Sequence, residues 1–449
     1  MMNLFRMLKL TTWSPPRVLV TGFALIIMIG SFLLYIPAAS TNGVSLSYID
    51  ALFTAASAVC VTGLVVVDTG THFTIFGQIV ILTLIQLGGL GFMTMATLFA
   101  FMLKKRISLR ERLILQEAMN QSSIEGIVRL IKKVFIYSVV IELAGAVLFT
   151  IRWAFDMPFK QAVYFGIFHS ISLFNNAGFD LFGEFRSLTL YAEDPIINIT
   201  AMLLIILGGI GFVVLSDLLD YKKTRRLSLH SKVVLSMTGV LIMVGAFVVF
   251  IFEYTNEATL GLYGLDGKVW TSFFQSVTPR TAGANTLDIA SLRQATQFFI
   301  IILMFIGASP GSTGSGIKTT TFAILLASVF AMIRGKDDVV LFRMRLAKER
   351  ILKALTITIL SLVFVVSITM VLTTTEDQQF LKILFETTSA FGTVGLSMGI
   401  TPELTVVGKL LICLAMFVGR LGPLTLAYAL KTKKEKTLYR HPEGNLIIG

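Results

Sequence analysis

Long apolar stretches alternate along the chain with short basic segments. The stretch from Phe73 to Leu103 has 31 residues and no charged side chain, whereas about 20 apolar residues are enough to cross a bilayer. The first stretch, Val18 to Ala39, has 22 residues and is longer than the core of a signal peptide, although Pro-Ala-Ala-Ser at 37–40 resembles a cleavage site. The pattern predicts an all-α polytopic membrane protein that retains its first span.

The composition supports this prediction. The 449-residue chain is 55% hydrophobic and only 14% charged, while soluble domains carry about 25% charged residues. Its two cysteines, Cys60 and Cys413, cannot form a disulfide framework. Its four scattered histidines offer neither a nucleophile–base pair nor a metal cluster, so the sequence does not predict an enzyme.

The basic residues are concentrated in five segments: 1–17, 104–133, 222–232, 334–353 and 431–440. The positive-inside rule places all five in the cytoplasm of a cell-membrane protein, together with both termini. Each of the four intervening hydrophobic blocks must then cross the bilayer an even number of times. The net charge of +12 is therefore expected to face anionic lipid or a cytosolic partner rather than nucleic acid.

Acidic residues lie near the opposite ends of the predicted spans. Examples are Asp68, Asp180, Glu257 and Glu376. An acidic outer mouth would attract cations.

Four segments share one pattern around a glycine. A Phe stands ten residues before this anchor glycine in all four segments, and a Ser stands six residues before it in three, with Val277 as the exception. The segments are FTAASAVCVTGL (53–64), FHSISLFNNAGF (168–179), FFQSVTPRTAGA (273–284) and FETTSAFGTVGL (385–396). The anchor glycines are Gly63, Gly178, Gly283 and Gly395, and roughly a quarter of the chain separates each pair.

A second glycine pattern follows each anchor within the next apolar stretch. The four strings are LGGLGF from Leu87, LGGIGF from Leu207, FIGASPG from Phe305 and FVGRLGP from Phe417. Their first glycines are Gly88, Gly208, Gly307 and Gly419. Because both patterns recur four times in the same order, we expect four repeats of span, short re-entrant helix and span. The fold class predicted is eight spans around one central pore.

The repeat boundaries follow from the basic segments. Repeat 1 is predicted to occupy 1–103 with the N-terminal tail, repeat 2 104–220, repeat 3 221–333 and repeat 4 334–430, and a cytoplasmic tail follows at 431–449.

A span, pore helix, filter strand and second span form the unit of potassium channels. Four such units in one chain resemble the superfamily of potassium transporters that includes TrkH, plant HKT and bacterial Ktr proteins. The likeness is closest to the Ktr membrane subunits (KtrB or KtrD). It rests on the four filter segments, GGLGF, GGIGF, the loop GASPGSTGSGIKTTT (307–321) and FVGRLGPLT (417–425).

The resemblance implies several properties. This chain would be a homodimeric membrane subunit for potassium uptake, in a system that serves osmotic adaptation. It would be controlled by a separate cytosolic ring of the KtrA or KtrC type, which binds ATP or ADP. No covalent cofactor is implied on this chain. The basic segments 104–133 and 334–353 and the tail 431–449 are the expected docking surfaces for the ring.

The four glycine segments predict an ion selectivity filter. Backbone carbonyls can replace the hydration shell of K⁺, and glycine allows the torsions that this requires. Taken singly, each segment could also be explained as a tight turn that binds no ion. The predicted filter consists of Val61, Thr62, Gly63, Asn176, Ala177, Gly178, Thr281, Ala282, Gly283, Thr393, Val394 and Gly395.

Two features are candidates for a gate. A helix cannot run cleanly through the Gly- and Ser-rich segment 307–319, so it is either an intramembrane loop under the filter or only a kink. Arg420 lies in the middle of a predicted span, where it could act as a barrier, tether the loop, or pair with Glu142 or with helix-end carbonyls. The predicted gate residues are Gly307, Ser309, Gly311, Ser312, Gly314, Gly316, Lys318 and Arg420. Lys318 is a rival to Arg420 as the barrier.

The main alternative is a secondary transporter coupled to sodium or protons. Such transporters typically use inverted repeats and carboxylates near the membrane midplane. Here the basic linkers indicate repeats of one orientation, and Glu142 is the one candidate carboxylate. The sequence therefore favours passive, gated conduction of potassium.

Overall fold

The computed structural model describes residues 14–91, 94–95, 97, 109–118, 127–423 and 425–426. The predicted tail 431–449, residues 1–13 and much of the basic segment 104–133 lie outside these ranges. The helices are α1 (Pro15–Tyr35), α2 (Tyr48–Cys60), α3 (Thr69–His72), α4 (Ile75–Gly89), α5 (Leu109–Ala118), α6 (Ile127–Trp153), α7 (Phe159–Phe174), α8 (Pro195–Gly209), α9 (Phe212–Thr224), α10 (Leu229–Glu253), α11 (Leu265–Val277), α12 (Gln294–Ile306), α13 (Thr319–Ile333), α14 (Lys348–Thr375), α15 (Phe380–Gly392) and α16 (Val406–Leu421).

A short antiparallel hairpin joins repeat 3 to repeat 4. Its strands are β1 (Val340–Leu341) and β2 (Met344–Arg345). Single 3₁₀ turns occur at Pro37–Ala39, Thr189–Tyr191, Leu260–Leu262 and Thr401–Glu403.

Long apolar helices open the four repeats. In the described part of the chain, α1, α6, α10 and α14 are long and apolar enough to cross a membrane, and the bent pair α8–α9 could be a fifth span. These four helices overlap the first spans that the hydrophobic pattern predicts at about 18–39, 134–152, 233–252 and 354–375. Together with the shorter apolar helices, they confirm the all-α polytopic fold.

A short helix follows each first span. Helices α2, α11 and α15 have 13 residues and α7 has 16, whereas about 20 residues are needed to cross a bilayer. The Ser47 hydroxyl caps the start of α2 by accepting a hydrogen bond from the Asp50 amide at 3.2 Å. The recurring Phe anchors three of these helices in the core, since Phe53, Phe168 and Phe385 are fully buried, while Phe273 in repeat 3 is half-buried.

The second glycine of each repeat allows close packing against the short helix. A Cβ built on Gly88, Gly208 or Gly419 would overlap the carbonyl oxygen four residues before the anchor glycine of the same repeat. The three carbonyls are those of Val59, Phe174 and Phe391. In repeat 3 the corresponding Gly307 instead packs against Ser315 and Gly316 of the loop that follows it.

The second helix is interrupted in repeat 2 as well as in repeat 3. Helices α8 and α9 meet at an angle of 100°, where Gly211 has φ +94° and the Phe212 amide donates to the Gly311 carbonyl at 2.9 Å. The sequence indicated a break only in repeat 3. The additional bend arises because the loop of repeat 3 supplies hydrogen-bond partners to the backbone of repeat 2.

Candidate functional site at the centre of the four repeats

The four anchor glycines close a ring. A Cβ built on Gly178 would lie 2.7 Å from the Ala282 carbonyl oxygen, and one on Gly283 would lie 2.5 Å from the Val394 carbonyl oxygen. A Cβ built on Gly63 would lie still closer to the carbonyl oxygen of Ala177, and a Cβ built on Gly395 would lie still closer to the carbonyl oxygen of Thr62. Each glycine thus packs against the filter segment of the next repeat, in the order 1, 2, 3, 4 and back to 1.

Each predicted filter triplet has the same unusual backbone. The anchor glycines have φ of +90°, +70°, +77° and +90° in repeats 1 to 4. The first residue of each triplet also has a positive φ, although none is glycine: Val61, Asn176, Thr281 and Thr393 have φ between +47° and +80°. Four non-glycine residues in this region at equivalent positions indicate a backbone that the surrounding fold imposes.

Hydroxyl groups hold the backbone next to each glycine. Ser57 and Ser389 accept hydrogen bonds from the amides of Gly63 and Gly395 at 3.0 and 3.1 Å. Ser172 donates to the Phe179 carbonyl at 2.7 Å. The sequence showed the recurrence of Ser but not this role.

Repeat 3 supplies an equivalent hydroxyl one residue later. Val277 interrupts the Ser pattern, and Thr278 donates instead to the Ala284 carbonyl, the residue after the anchor glycine. The exception in the sequence pattern is therefore a one-residue shift of the same contact.

A vestibule of about 270 Å³ lies on one side of the ring and is lined by all four anchor glycines. Asp68 and Asp180, two of the acidic residues expected at the outer mouth, line it together with Asp288. Glu376 does not line it. That residue is buried and accepts hydrogen bonds from the amide and hydroxyl of Thr405 at the start of α16.

The protonation of Asp180 is sensitive to its surroundings. Desolvation raises the pKa of this partly buried carboxyl to about 7, even though the Phe182 amide donates a hydrogen bond to it. Its charge at the vestibule therefore depends on pH near neutrality.

The Gly- and Ser-rich segment of repeat 3 forms a loop between α12 and α13. Gly314 lies against the side chain of Thr281, the first residue of the third filter triplet. Gly307, Gly311 and Gly316 have φ of +69°, +67° and +81°. The loop crosses to repeat 2, where the amides of Ser309 and Thr313 donate to the carbonyls of Gly209 and Gly208 at 3.0 and 3.2 Å.

Hydroxyl groups within the loop stabilise its shape. The hydroxyls of Ser309 and Thr319 are 2.8 Å apart, and Ser312 donates to the Ser309 carbonyl at 2.6 Å. Lys318 donates to the Gly314 carbonyl at 2.5 Å. The lysine thus closes the loop on itself.

Arg420 connects three repeats through backbone carbonyls. Its Nη1 donates to Thr313 in the loop, and its Nη2 donates to Gly88 and, at 3.1 Å, to Gly89 at the end of α4. The geometry therefore combines two of the arrangements considered from the sequence, a contact with the loop and a contact with helix-end carbonyls.

Glu142, the acid considered as a partner of Arg420, lies in a different cluster. Its carboxylate accepts hydrogen bonds from Gln86 at 3.1 and 3.3 Å and from Asn175 at 3.2 Å. Asn175 immediately precedes the second filter triplet. Glu142 therefore supports the packing of repeats 1 and 2.

Comparison with known proteins identifies the family. A family model described as TrkH, cation transport protein, matches residues 9–438. The chain belongs to the TrkH family. The resemblance to the Trk/Ktr superfamily and to its Ktr membrane subunits, expected from the sequence, is confirmed.

The TrkH-family relatives match nearly the whole chain. The chain is 48% identical over 444 residues to the Ktr system potassium uptake protein B of Bacillus subtilis (strain 168), with 99% of each chain covered. It is 40% identical over 442 residues to the potassium/sodium uptake protein NtpJ of Enterococcus hirae, with 97% of each covered. The crystal structure of the potassium transporter TrkH from Vibrio parahaemolyticus has a TM-score of 0.72 at 18% identity, and the alignment covers 94% of this chain and 86% of that chain. That structure supports the fold.

Proposed function

We propose that the chain is the membrane subunit of a potassium uptake system and conducts K⁺ through the ring of four filter triplets. The observation that carries the proposal is the repeated backbone of that ring, in which the first and third residues of all four triplets have positive φ. Alternating torsions of this kind turn successive carbonyls toward the same side. Rings of carbonyl oxygens are the ligands that replace the hydration shell of a permeating ion.

The vestibule supports entry of a cation. Asp68, Asp180 and Asp288 place carboxylates beside the anchor glycines. A concave site lined by one sign of charge raises the local concentration of the opposite ion. The vestibule is therefore proposed as the outer mouth, and both termini as cytoplasmic.

The loop of repeat 3 and Arg420 are proposed as the gate. The loop contacts the third triplet through Gly314 and is held by a guanidinium group that also binds the end of α4. A positive charge next to a cation path opposes conduction. Displacing the loop would remove the obstacle and break its contact with Arg420.

Regulation is proposed to come from a separate cytosolic ring of the KtrA or KtrC type that binds ATP or ADP, acting on a homodimer of this chain. The name of the Bacillus relative, a Ktr system protein, supports a subunit that works with other components. The exposed hairpin β1–β2, with its basic residues Arg343 and Arg345, is one candidate docking surface.

Sodium-coupled uptake is the second candidate function. The name of the Enterococcus relative, a potassium/sodium uptake protein, favours it. Each filter segment also has a single recurring glycine rather than the longer glycine pattern of a potassium channel, so discrimination against sodium is expected to be limited.

The proposal is tested by filter substitutions in a potassium-uptake-deficient bacterium. Gly178→Ser and Gly395→Asp should abolish rescue of growth on low potassium, because side chains at these positions meet neighbouring backbone at positive φ. Gly239→Ser is the matched control, since a Cβ there meets nothing within 4 Å. Normal uptake by a well-expressed Gly395→Asp variant would contradict the filter.

The same cells separate the two candidate functions. Uptake is measured with and without a co-expressed soluble ring and at two sodium concentrations. Passive potassium conduction predicts uptake that sodium does not stimulate, whereas sodium coupling predicts that removing sodium lowers it.

A further inference from the structure

The four short helices α2, α7, α11 and α15 are called pore helices here. At one equivalent position they carry a different residue in each repeat. The residue nine positions before the anchor glycine is Thr54, His169, Phe274 and Glu386 in repeats 1 to 4. His169 and Glu386 are 2% and 0% exposed, and burying such polar groups is costly unless hydrogen bonds compensate. Their partners indicate why these two residues are buried.

His169 supports the chain that follows the second filter triplet. Its Nδ1 lies 2.8 Å from the Phe165 carbonyl, so this nitrogen carries the proton and donates. The lone pair of Nε2 then accepts a hydrogen bond from the Leu181 amide at 3.3 Å, three residues after Gly178. Trp153 and Phe182 pack around the imidazole ring and fix its orientation.

Glu386 performs the corresponding role in repeat 4 with different chemistry. Its Oε2 accepts from the Ser397 hydroxyl at 2.9 Å, and its Oε1 accepts from the Thr401 hydroxyl. Ser397 also accepts from the Gly399 amide at 3.0 Å. One buried carboxylate therefore connects pore helix α15 to residues two and six positions after Gly395, which line the vestibule.

In repeats 1 and 3, the side chain at this position of the pore helix makes no hydrogen bond to the chain after the anchor glycine. The Thr54 hydroxyl donates to the Asp50 carbonyl of its own helix at 2.8 Å, and Phe274 has no polar side-chain atom. In these two repeats, the chain after the anchor glycine is instead held by residues 185–187 of repeat 2, a surface loop called the 185–187 loop. The Phe185 amide donates to Asp68 at 2.8 Å, and the Asn285 amide donates to the Ser187 hydroxyl at 3.1 Å.

The ring order places repeats 2 and 4 on opposite sides of the pore. We infer that His169 and Glu386 are positioning residues that hold the mouth of the filter from two diagonal sides and thereby set the preference for potassium over sodium. This inference rests on the proposed filter. It makes the filter functionally twofold, with one diagonal pair of repeats supported by its own pore helices and the other pair by a neighbouring loop.

Four variants separate the hydrogen bonds from the packing. His169→Phe keeps an aromatic ring but removes the acceptor, while His169→Gln keeps an acceptor for the Leu181 amide. Glu386→Met keeps the approximate volume and removes both acceptors, while Glu386→Gln keeps one carbonyl oxygen. Thr54→Val is the control at the same register position, because its hydroxyl contacts only its own helix.

Potassium uptake by each variant is measured in the uptake-deficient bacterium at a series of increasing sodium concentrations, which gives the preference for potassium over sodium. We expect His169→Phe and Glu386→Met to raise the apparent KM for potassium and to lower the potassium preference by about threefold to tenfold, the effect of a buried hydrogen bond. The maximal rate per molecule of protein in the membrane should change less. His169→Gln and Glu386→Gln should restore part of the preference, and Thr54→Val should retain it.

The outcomes distinguish this inference from the proposed filter. If Gly395→Asp abolishes uptake while His169→Phe and Glu386→Met keep the original potassium preference, the positioning role is wrong and the filter stands. If the glycine variants transport normally, the filter itself fails. Should the Glu386 variants not reach the membrane, Thr401→Val removes a donor at the other end of the contact, and an unchanged preference in that variant would overturn the inference.

Discussion

At the scale of single residues, the partners of Arg420 are backbone carbonyls. A guanidinium group within a membrane protein pairs with an acid or with backbone carbonyls, or faces a water-filled cavity. Arg420 donates to the carbonyls of Thr313, Gly88 and Gly89. Carbonyls satisfy its hydrogen-bonding groups without cancelling its charge. The residue can therefore hold the loop and repel cations at the same time.

We expect Arg420→Gln to raise potassium flux severalfold in the absence of the regulatory ring, because both the charge and the forked contact are lost. Arg420→Lys keeps the charge but cannot bind two elements with a planar fork. Its potassium flux should therefore lie between that of the parent chain and that of the Arg420→Gln variant. Arg334→Gln, at an exposed helix end, is the control. Unchanged or lower flux in a well-expressed Arg420→Gln variant would argue against the gate.

Asp180 predicts a pH dependence of uptake. Since desolvation raises its pKa to about 7, the carboxyl is neutral below that pH and negatively charged above it. Uptake at limiting potassium should therefore increase from about pH 6 to about pH 8. Asp180→Asn should remove this increase, whereas Asp288→Asn should keep it because Asp180 is still present. A pH profile that Asp180→Asn leaves unchanged would exclude this carboxyl as its source.

The residues of the ring show what could be predicted from the sequence. The anchor glycines were predictable because Gly178 and its three equivalents each stand ten residues after a Phe. The positive φ of Asn176 and Thr393 was not, because only the packing of four repeats imposes that conformation on residues other than glycine. For Arg420 the sequence offered the loop, an acid and helix-end carbonyls as partners but could not decide among them, because backbone carbonyls have no signature in the sequence.

At the scale of elements, buried carboxylates connect the two spans of a repeat at one end. Glu253, at the end of α10, accepts hydrogen bonds from the Arg293 amide at 2.9 Å and from the Thr296 hydroxyl at the start of α12. Glu376, after α14, caps α16 through Thr405. Both acids satisfy backbone donors that a helix start leaves without partners. Their role is therefore to fix the second span relative to the first.

Glu253→Ala is expected to destabilise the protein by about 3 kcal/mol, because several buried donors lose their acceptor at once. The effect should appear as a lower thermal unfolding temperature of the detergent-purified protein. Glu257→Ala, four residues further on at an exposed position, is the matched control and should change little. Equal stability of the two variants would show that the Glu253 contacts do not hold the repeat together.

The bend between α8 and α9 shows why the elements were only partly predictable. The sequence LGGIGF of repeat 2 is nearly the same as LGGLGF of repeat 1, and neither predicts a bend of 100°. The bend depends on the loop of repeat 3, whose Gly311 carbonyl accepts from the Phe212 amide. Contacts between elements far apart in the sequence, here about 100 residues, decide where a helix ends.

At the scale of the whole molecule, the repeats determine the topology. The four short pore helices do not cross the bilayer, so each repeat enters and leaves on the same side. The linker containing the β1–β2 hairpin and the segment between α10 and α11 must then lie on opposite sides of the membrane. The positive-inside rule predicts that the basic hairpin linker is cytoplasmic.

Cysteine labelling can test this topology because both native thiols are in apolar surroundings: Cys60 is buried and Cys413 is half-buried. Lys336→Cys and Glu257→Cys place a thiol at exposed positions in the two segments. We expect a membrane-impermeant maleimide to label Glu257→Cys in intact cells and Lys336→Cys only after permeabilisation, and the parent chain to label weakly in both conditions. Labelling of Lys336→Cys in intact cells would mean that the hairpin faces outward. The vestibule with its three aspartates would then open to the cytoplasm, and potassium entry from outside would first meet the loop and Arg420.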